Sequence, residues 1–378
     1  MAAPVLVLNT GSSTVKYQVL VPETGRRLTE GVKERVEDAG SAVTAVIAEL
    51  GDTLRHTGEI AAVGHRVVHG GARFTAPTVV DDVVLGAIDD LTVLAPLHNP
   101  AAVAGIRAAR RALPQVPQVA VFDTAFHATL PPHASTYAVP AEWRERYGVR
   151  RYGFHGTNYA HVTKETARLL GRDAGALNIV AFHLGNGASA CAIRAGVSVD
   201  TSMGLTPLAG LVMGTRSGDV DPSVPGYLAR VAGLAPAEVD DDLEHASGLQ
   251  ALAGASDMRD VLRRRADGDP SAALAFDTYC HRVRTYLGAY AAVLGRLDAI
   301  VFTAGVGEHA APVRAAALAG LESWGISLDA GRNDAPGHSA RIVSPDGASV
   351  VVLVVPADEE LEIGRQAVAA VRAVQARD

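Results

Sequence analysis

An apolar run over residues 4–8 breaks at Asn9-Thr10-Gly11-Ser12-Ser13-Thr14 and resumes as Val15-Lys16-Tyr17-Gln18-Val19-Leu20-Val21. Two apolar runs divided by a small polar turn read as a strand, a tight turn and a second strand. Glycine lets the backbone approach an anion closely, Ser and Thr add hydroxyl donors, and Lys16 sets a positive charge just beyond the turn. Phosphate suits such a loop, although a single Gly/Ser turn carries little weight because many hairpins use one and bind nothing. Here the design recurs. The run Asn178–Leu184 ends in Gly185-Asn186-Gly187-Ala188-Ser189 and continues through Ala190-Cys191-Ala192-Ile193. A third Gly-rich turn, Ala304-Gly305-Val306-Gly307-Glu308-His309, follows Ala299–Thr303 and leads through Pro312 into a helical segment. Three such turns, each past a buried-looking strand, point to two related half-molecules converging on one polyphosphate.

With 378 residues, 48% of them hydrophobic and 20% charged, the chain is long enough for two cores. Its net charge of −7 argues against nucleic acid as a general partner, since a duplex binder needs a basic face. Cys191 and Cys280 lie far apart and offer neither a disulfide framework nor a zinc pattern, so a reducing cytoplasm is the simplest setting. No basic segment precedes the first apolar run, and no run approaches the length of a membrane span. Strand-like runs at 60–68, 118–122, 178–184, 299–303 and 349–355 alternate with helix-like stretches at 100–113, 158–170, 271–294, 312–324 and 358–375. That alternation predicts α/β layers. The Pro- and aromatic-rich stretch 130–152 marks the expected boundary between halves, and the last helix is expected to pack back on the first half.

Familiar nucleotide signatures are absent. The chain has no G-x-x-x-x-G-K-S/T, and Gly185-Asn186-Gly187 does not complete a dinucleotide fingerprint. His65 and His69 stand four apart but lack the zincin Glu and sit in a β-branched run, which disfavours zinc. Polar clusters occur where ligand groups usually gather, at the ends of elements. They are Arg66 beside Gly70-Gly71, Leu97-His98-Asn99-Pro100, Asp123-Thr124-Ala125-Phe126-His127 and Gly153-Phe154-His155-Gly156-Thr157. Singly each has an ordinary explanation: a helix cap, a satisfied core histidine, half of an ion pair. Met213-Gly214-Thr215-Arg216-Ser217-Gly218-Asp219 is harder to explain away, because an arginine fixed on a Gly/Ser loop suits a bidentate grip on carboxylate or phosphate. Asp358-Glu359-Glu360, opening the last helix, are either dipole partners or ligands of a hard cation.

Taken together and in order, these motifs resemble the acetokinase family, within the superfamily of actin, the heat-shock chaperone Hsp70 and the sugar kinases. The resemblance rests on Asn9 to Lys16, His65-Arg66-Val67-Val68-His69-Gly70-Gly71, Ala95-Pro96-Leu97-His98-Asn99-Pro100, Val121-Phe122-Asp123-Thr124-Ala125-Phe126-His127 and Tyr152-Gly153-Phe154-His155-Gly156-Thr157. It continues through His183-Leu184-Gly185-Asn186-Gly187, the Arg216 loop and Phe302-Thr303-Ala304-Gly305-Val306-Gly307-Glu308. It implies a two-domain duplicated actin-like ATPase (ribonuclease H-like) α/β fold, with mixed sheets flanked by helices. The N-terminal domain would comprise residues 1–135 and 361–378. Residues 136–360 would form a C-terminal domain that binds nucleotide and builds a homodimer. The activity implied is Mg2+-dependent reversible transfer of the ATP γ-phosphoryl group to acetate, giving acetyl phosphate and ADP, with Mn2+ able to replace Mg2+. Acetate and ATP would be the small-molecule partners, with no nucleic acid or membrane.

By motif position, the resemblance implies Asn9 and Glu359 at the metal, and Lys16, Ser12 and Thr14 near the phosphates. Arg66 would hold the substrate carboxylate, with His98 nearby. Asp123 would be the catalytic carboxylate, and His155 with Arg216 would stabilise the transferring group. Nucleotide would lie along His183, Leu184, Gly185, Asn186 and Gly187, then Asp257, Met258 and Arg259, and Gly305, Val306, Gly307, Glu308 and His309. Val68, Leu97, Phe154 and Pro207 would pocket the acetate methyl. Acetate is already ionised at neutral pH, so the chemistry asks for positioning and charge neutralisation rather than a base. Asp123 is therefore read as orienting an arginine or a metal-bound water.

The chain also departs from the family pattern. Tyr159 stands where G-F-H-G-T-S-H has its second histidine, His309 replaces the Asn of G-I-G-E-N, and Asp358 replaces the Asn of T-N-E-E. The segment between Lys16 and Arg66 is shorter than usual. Two other readings share much of this pattern. A propionate or butyrate kinase differs by methylenes worth only about 1–3 kcal/mol each in such a pocket. A non-transferring ATPase of the actin or chaperone type would need neither a carboxylate-gripping arginine nor a methyl pocket.

Overall fold

The computed structural model describes residues 3–11, 13–51 and 59–376, so Ser12 lies outside the described residues. These residues fall into two compact units. One holds the chain up to Ala128, Phe154–His161 and the segment from Asp358 onward, and the other holds Thr129–Gly153 and Val162–Ala357. Phe154–His161, which the sequence reading grouped with the second half, packs with the first.

The first unit is built on six strands: β1 (Val5–Thr10), β2 (Thr14–Val21), β3 (Arg26–Glu34), β4 (Ala62–Val67), β5 (Thr78–Val79) and β6 (Gln118–Phe122). They lie in the order β3-β2-β1-β4-β6-β5, with β1, β4 and β6 parallel and the remaining pairs antiparallel. The central strands are apolar on both faces, as a covered parallel sheet requires. Their side chains alternate between two cores. Leu6 and Leu8 pack with Val43, Val46, Ala108 and Ala109 of the helices Ala39–Glu49 and Asn99–Ala112. Val5 and Val7 pack with Ile363 and Ala367 of the helix Glu359–Gln375. The last helix therefore returns to the first sheet. It lies close to β4 because residue 64 is glycine: a Cβ there would sit 2.7 Å from Ile363 Cγ2.

The second unit repeats this plan with β7 (Asn178–Leu184), β8 (Ala188–Arg194), β9 (Val197–Thr201), β10 (Ala299–Thr303), β11 (Arg341–Ile342) and β12 (Val351–Val354). Its order is β11-β12-β10-β7-β8-β9, with β7, β10 and β12 parallel. Strand for strand, β7 to β9 correspond to β1 to β3, β10 to β4, β12 to β6, and the antiparallel edge strand β11 to β5. Stacked Phe182 and Phe302 rings, 5.5 Å apart, join β7 to β10 in its core. The long helix Pro270–Leu294 covers β7 and β8. The duplicated α/β fold expected from the recurring turns is the fold observed.

One expected turn is a helix. Ala304–His309 follows β10 directly, with Ala304 in the left-handed region at φ 64° and Ala310 N donating to Val306 O at 2.9 Å. The sharp exit from the strand that glycines were expected to provide is made by an alanine instead.

Ile363 is fully buried between the last helix and β4. Ile363→Ala should destabilise the first unit by about 2–5 kcal/mol, the usual cost of a core cavity plus lost transfer energy. Urea unfolding checks this, and a loss under about 1 kcal/mol would show that the helix does not depend on this contact.

Candidate active site

Parallel register brings the carboxyl ends of β1, β4 and β6 together, since Leu8 pairs with His65 and Arg66 with Val121. Ligand-binding groups of α/β sheets collect at such ends. Asn9 is the half-buried penultimate residue of β1, Arg66 sits near the end of β4, and Asp123 follows β6 with its N–H donating to Val67 O at 3.0 Å. The Arg66 guanidinium donates from Nε to both Asp123 oxygens at 3.1 Å, and from Nη2 to Oδ2 at 2.6 Å. Its Nη1 donates to Asn9 Oδ1 at 3.3 Å, and Glu359 Oε2 lies 3.8 Å from Nε. Burial disfavours the Arg66 cation, but the neighbouring Asp123 and Glu359 charges more than offset it and hold its pKa above the ordinary arginine value. Burial pushes the Glu359 carboxyl up to about 7. Arg66 pulls it down, while Asp123 and Glu360 push it up again.

The segment after β6 is shaped to fit this carboxylate. Thr157 Oγ1 donates to Asp123 Oδ1 at 3.3 Å, and Gly156 N donates to Asp123 O at 2.9 Å. A Cβ on Gly156 would lie 2.2 Å from that same oxygen, so only glycine fits. His155 beside it adopts a left-handed φ of 58°, a conformation a non-glycine residue holds only when its surroundings impose it. Buried Phe154 meets the His69 ring edge-on at 5.4 Å, and Asn99 ties both the N–H and the C=O of His69. Val68 is half-buried, Leu97 is 54% exposed, and His98 directly precedes the helix Asn99–Ala112. Gly11 N donates to Thr14 O at 2.8 Å to close the first turn, with Lys16 exposed on β2.

The second unit, taken by itself, holds a cavity of about 430 Å3. Gly185, Asn186, Asp257, Met258, Arg259, Gly305, Val306 and His309 line it, all residues predicted for nucleotide. Leu249, Ser256, Leu262, Tyr279 and Ala310 line it too, and the sequence reading missed them. Leu249, Leu262 and Tyr279 are apolar or aromatic positions on helices, which carry no local signal of facing a cavity rather than a core, and Ser256 and Ala310 lie just outside the predicted motifs. Apolar walls with a few polar groups at the rim suit a flat, mostly apolar ligand body. His183, Leu184 and Gly187 frame the β7–β8 turn, where Gly185 N donates to Gly187 O at 3.0 Å. Asp257 caps the helix Met258–Ala266 and holds Arg259. Glu308 Oε1 accepts from Ala357 N at 2.9 Å, and Gly307 packs on Phe302. Arg216 stands on a loop of this unit with Nε donating to Glu244 Oε2 at 2.8 Å, and Pro207 belongs to this unit as well.

The residues that depart from the family pattern have clear local settings. Tyr159 is buried, stacked on Phe126 and edge-on to His127, so the substitution is absorbed as packing. Asp358 caps the last helix through Leu361 N and pairs with Arg27 at 3.1 Å. His309 is 60% exposed at the cavity rim. Among the described residues, no helix is long and apolar enough to cross a membrane, and no group of three or more His, Cys, Asp or Glu gathers to hold a metal.

Residues 33–365 match the acetokinase family. The chain is 52% identical to acetate kinase of Streptomyces coelicolor, covering 97% of each, and 53% identical to acetate kinase of Leifsonia xyli, covering 98% of this chain and 99% of that one. The crystal structure of Porphyromonas gingivalis acetate kinase superposes with a TM-score of 0.92 at 38% identity, covering 98% of this chain and all of that one (100%). A propionate kinase from Francisella tularensis gives a TM-score of 0.90 at 37% identity, covering 96% and 98%. Fold and likeness define a two-domain kinase of the actin-like ATPase class. Within that class, the chain belongs to the acetokinase family.

Beside Arg66 on β4, His65 is buried, with Nε2 2.8 Å from Gln118 Oε1, and burial pulls its pKa down to about 4. Its neutral form is therefore favoured on folding. The stability this contributes is fully present above the unfolded value near 6.5 and is lost as pH falls through about 4. Glu359 acts with the opposite sign over part of this range, so the effect is read as a difference between proteins. From pH 7 to pH 4, the native protein should lose up to about 3 kcal/mol more than His65→Gln in urea unfolding. Parallel pH profiles would show that His65 is not buried neutral.

Proposed function

We propose that this acetokinase-family chain catalyses reversible transfer of the γ-phosphoryl group of ATP to the carboxylate of acetate, giving acetyl phosphate and ADP. The observation that carries the reading is the arginine–carboxylate cluster of Arg66, Asp123 and Asn9 at the parallel strand ends, in a chain half identical to acetate kinases over nearly its whole length. Asp123 orients Arg66, whose remaining terminal N–H donors are left for the acetate carboxylate. Val68, Leu97, Phe154 and Pro207 serve the methyl group, with His98 nearby. Arg216 and His155 stabilise the phosphoryl group as charge develops on it. The nucleotide base and ribose take the cavity between Asn186 and Val306, with Lys16 and Thr14 toward the phosphates.

Mg2+ fits the oxygen donors available. Asn9 Oδ1 and the Glu359 carboxylate both lie beside Arg66, and a hard cation that arrives with nucleotide phosphates needs only one or two protein oxygens. When bound, it neutralises charge on the phosphoryl oxygens. Mn2+ suits the same donors. A reducing cytoplasm accords with the two buried free cysteines.

A homodimer through the second unit is part of the same reading. The helix Val224–Ala232 has no buried residue, and it presents Tyr227 at 56% and Val231 at 60% exposure. Such a face favours burial against a second copy.

Formation of acetyl phosphate, measured with acetate, propionate and butyrate, tests the activity. Acetate should give the highest kcat/KM, and a preference for propionate would assign the acyl pocket to the longer chain. Arg216→Ala should lower kcat by at least about a hundredfold with the fold intact. In sedimentation velocity the native chain should run as a dimer and Tyr227→Glu as a monomer. A monomeric native chain would remove the dimer.

A further inference from the structure

The loop that carries Arg216 is fixed through its backbone. Gly214 N donates to Asn186 O at 2.9 Å, Ser217 N to Leu243 O at 3.0 Å, and Ser247 N to Thr215 O at 2.9 Å. Gly248, at φ 62°, packs so closely that a Cβ would lie 2.3 Å from Met213 O and 2.7 Å from Arg216 O. Gly214 abuts Asn186, a cavity-lining residue, so the loop borders the proposed nucleotide cavity. None of these ties fixes the guanidinium itself, which swings on several rotatable bonds.

Glu244 supplies that restraint. Its Oε2 accepts from Arg216 Nε at 2.8 Å, gripping the planar group at its inner edge and leaving the Nη1 and Nη2 donors for another anion. Its placement runs against local preference, because Glu244 stands in the last turn of the helix Pro236–His245, where a negative charge opposes the helix dipole. Sites that break a local rule in this way are usually functional or strained. The same device occurs in the first unit, where Asp123 grips Arg66 through Nε. Resting on the reading that Arg216 acts on the transferring phosphoryl group, we infer that Glu244 is the positioning residue that aims Arg216.

The backbone carbonyl of Glu244, which accepts from Thr215 Oγ1 at 3.0 Å, survives any substitution of its side chain. Side-chain variants therefore isolate the guanidinium contact. Arg216 and Glu244 keep only 24% and 18% exposure, so loss of their ion pair should lower Tm by a few degrees, up to about 5 °C, while the chain stays folded at assay temperature.

The test compares Glu244→Ala, Glu244→Gln, Arg216→Ala and the double variant in the full chain. Glu244→Ala should lower kcat between about tenfold and a hundredfold, the scale of a misplaced catalytic group, with KM for acetate and calorimetric ADP affinity within about twofold of native. Affinity for ADP, Mg2+, acetate and aluminium fluoride, a planar phosphoryl mimic, should fall by the same factor as kcat. Glu244→Gln should recover most of the loss, because its amide oxygen can still accept from Nε. In the Arg216→Ala background, Glu244→Ala should cost nothing further. Native turnover in Glu244→Ala while Arg216→Ala is disabled would overturn the inference. A full extra loss in the double variant would also overturn it, by showing a role independent of Arg216. Native turnover in Arg216→Ala alone would instead remove the reading on which the inference rests.

Discussion

Asp123 is almost wholly buried, and a carboxylate in such a place needs compensation: hydrogen bonds, a cation, or both. Arg66 supplies the cation through Nε and Nη2, and Thr157 adds a hydroxyl. Much of the first unit follows from keeping that arrangement. The parallel pairing of β4 with β6 sets Arg66 opposite Val121, two residues before Asp123. The glycine at 156 lets the next helix start against the Asp123 carbonyl, and the left-handed turn at His155 delivers it there. Removing Arg66 alone would leave a buried charge uncompensated, at a cost of about 3–5 kcal/mol. The pair is thus a structural necessity in its own right, whatever the remaining guanidinium donors bind.

The duplication explains why one set of rules serves both units. Each sheet places three antiparallel strands before two parallel ones and ends on a short antiparallel edge strand. Each therefore brings a turn and a strand end to the same side. In the first unit those positions carry Asn9, Arg66 and Asp123, which are charged or strongly polar. In the second, the β7–β8 turn carries Gly185 and Asn186, β10 is followed by Ala304 and β12 by Val355, with little charge among them. One topology thus yields a charged cluster in one copy and a cavity with apolar walls in the other.

Elements whose pattern is set by burial on both faces were legible in the sequence. β6, β7 and β10 occur where their apolar runs place them, because a strand covered on both sides has little choice of residue. β3 was not legible. It is an edge strand reading Arg-Arg-Leu-Thr-Glu-Gly-Val-Lys-Glu, whose charges guard the open edge and erase the apolar signal. The short helices of residues 224–253 were missed because they run only 9, 10 and 6 residues, too few turns for a helical period to stand out. The residues proposed for the site stand out because Gly, Arg, Asp and His cluster locally in the sequence. Leu249, Leu262 and Tyr279 do not, because they reach the cavity from helices whose approach is decided only by packing.

Glu244 marks the limit of motif reading most clearly. It stands 28 residues from Arg216 in the chain, in an acidic helix where one more carboxylate looks like ordinary solvated surface. Only its 2.8 Å contact with Nε distinguishes it. An arginine recruited to bind an anion needs something to point it, and that partner has to be a carboxylate with its own place in the fold. For Arg66 the partner lies just past the end of a neighbouring strand, where sheet register dictates the meeting and a local motif reveals it. For Arg216 it comes from a separate helix, so the requirement is equally physical but leaves no trace in local sequence.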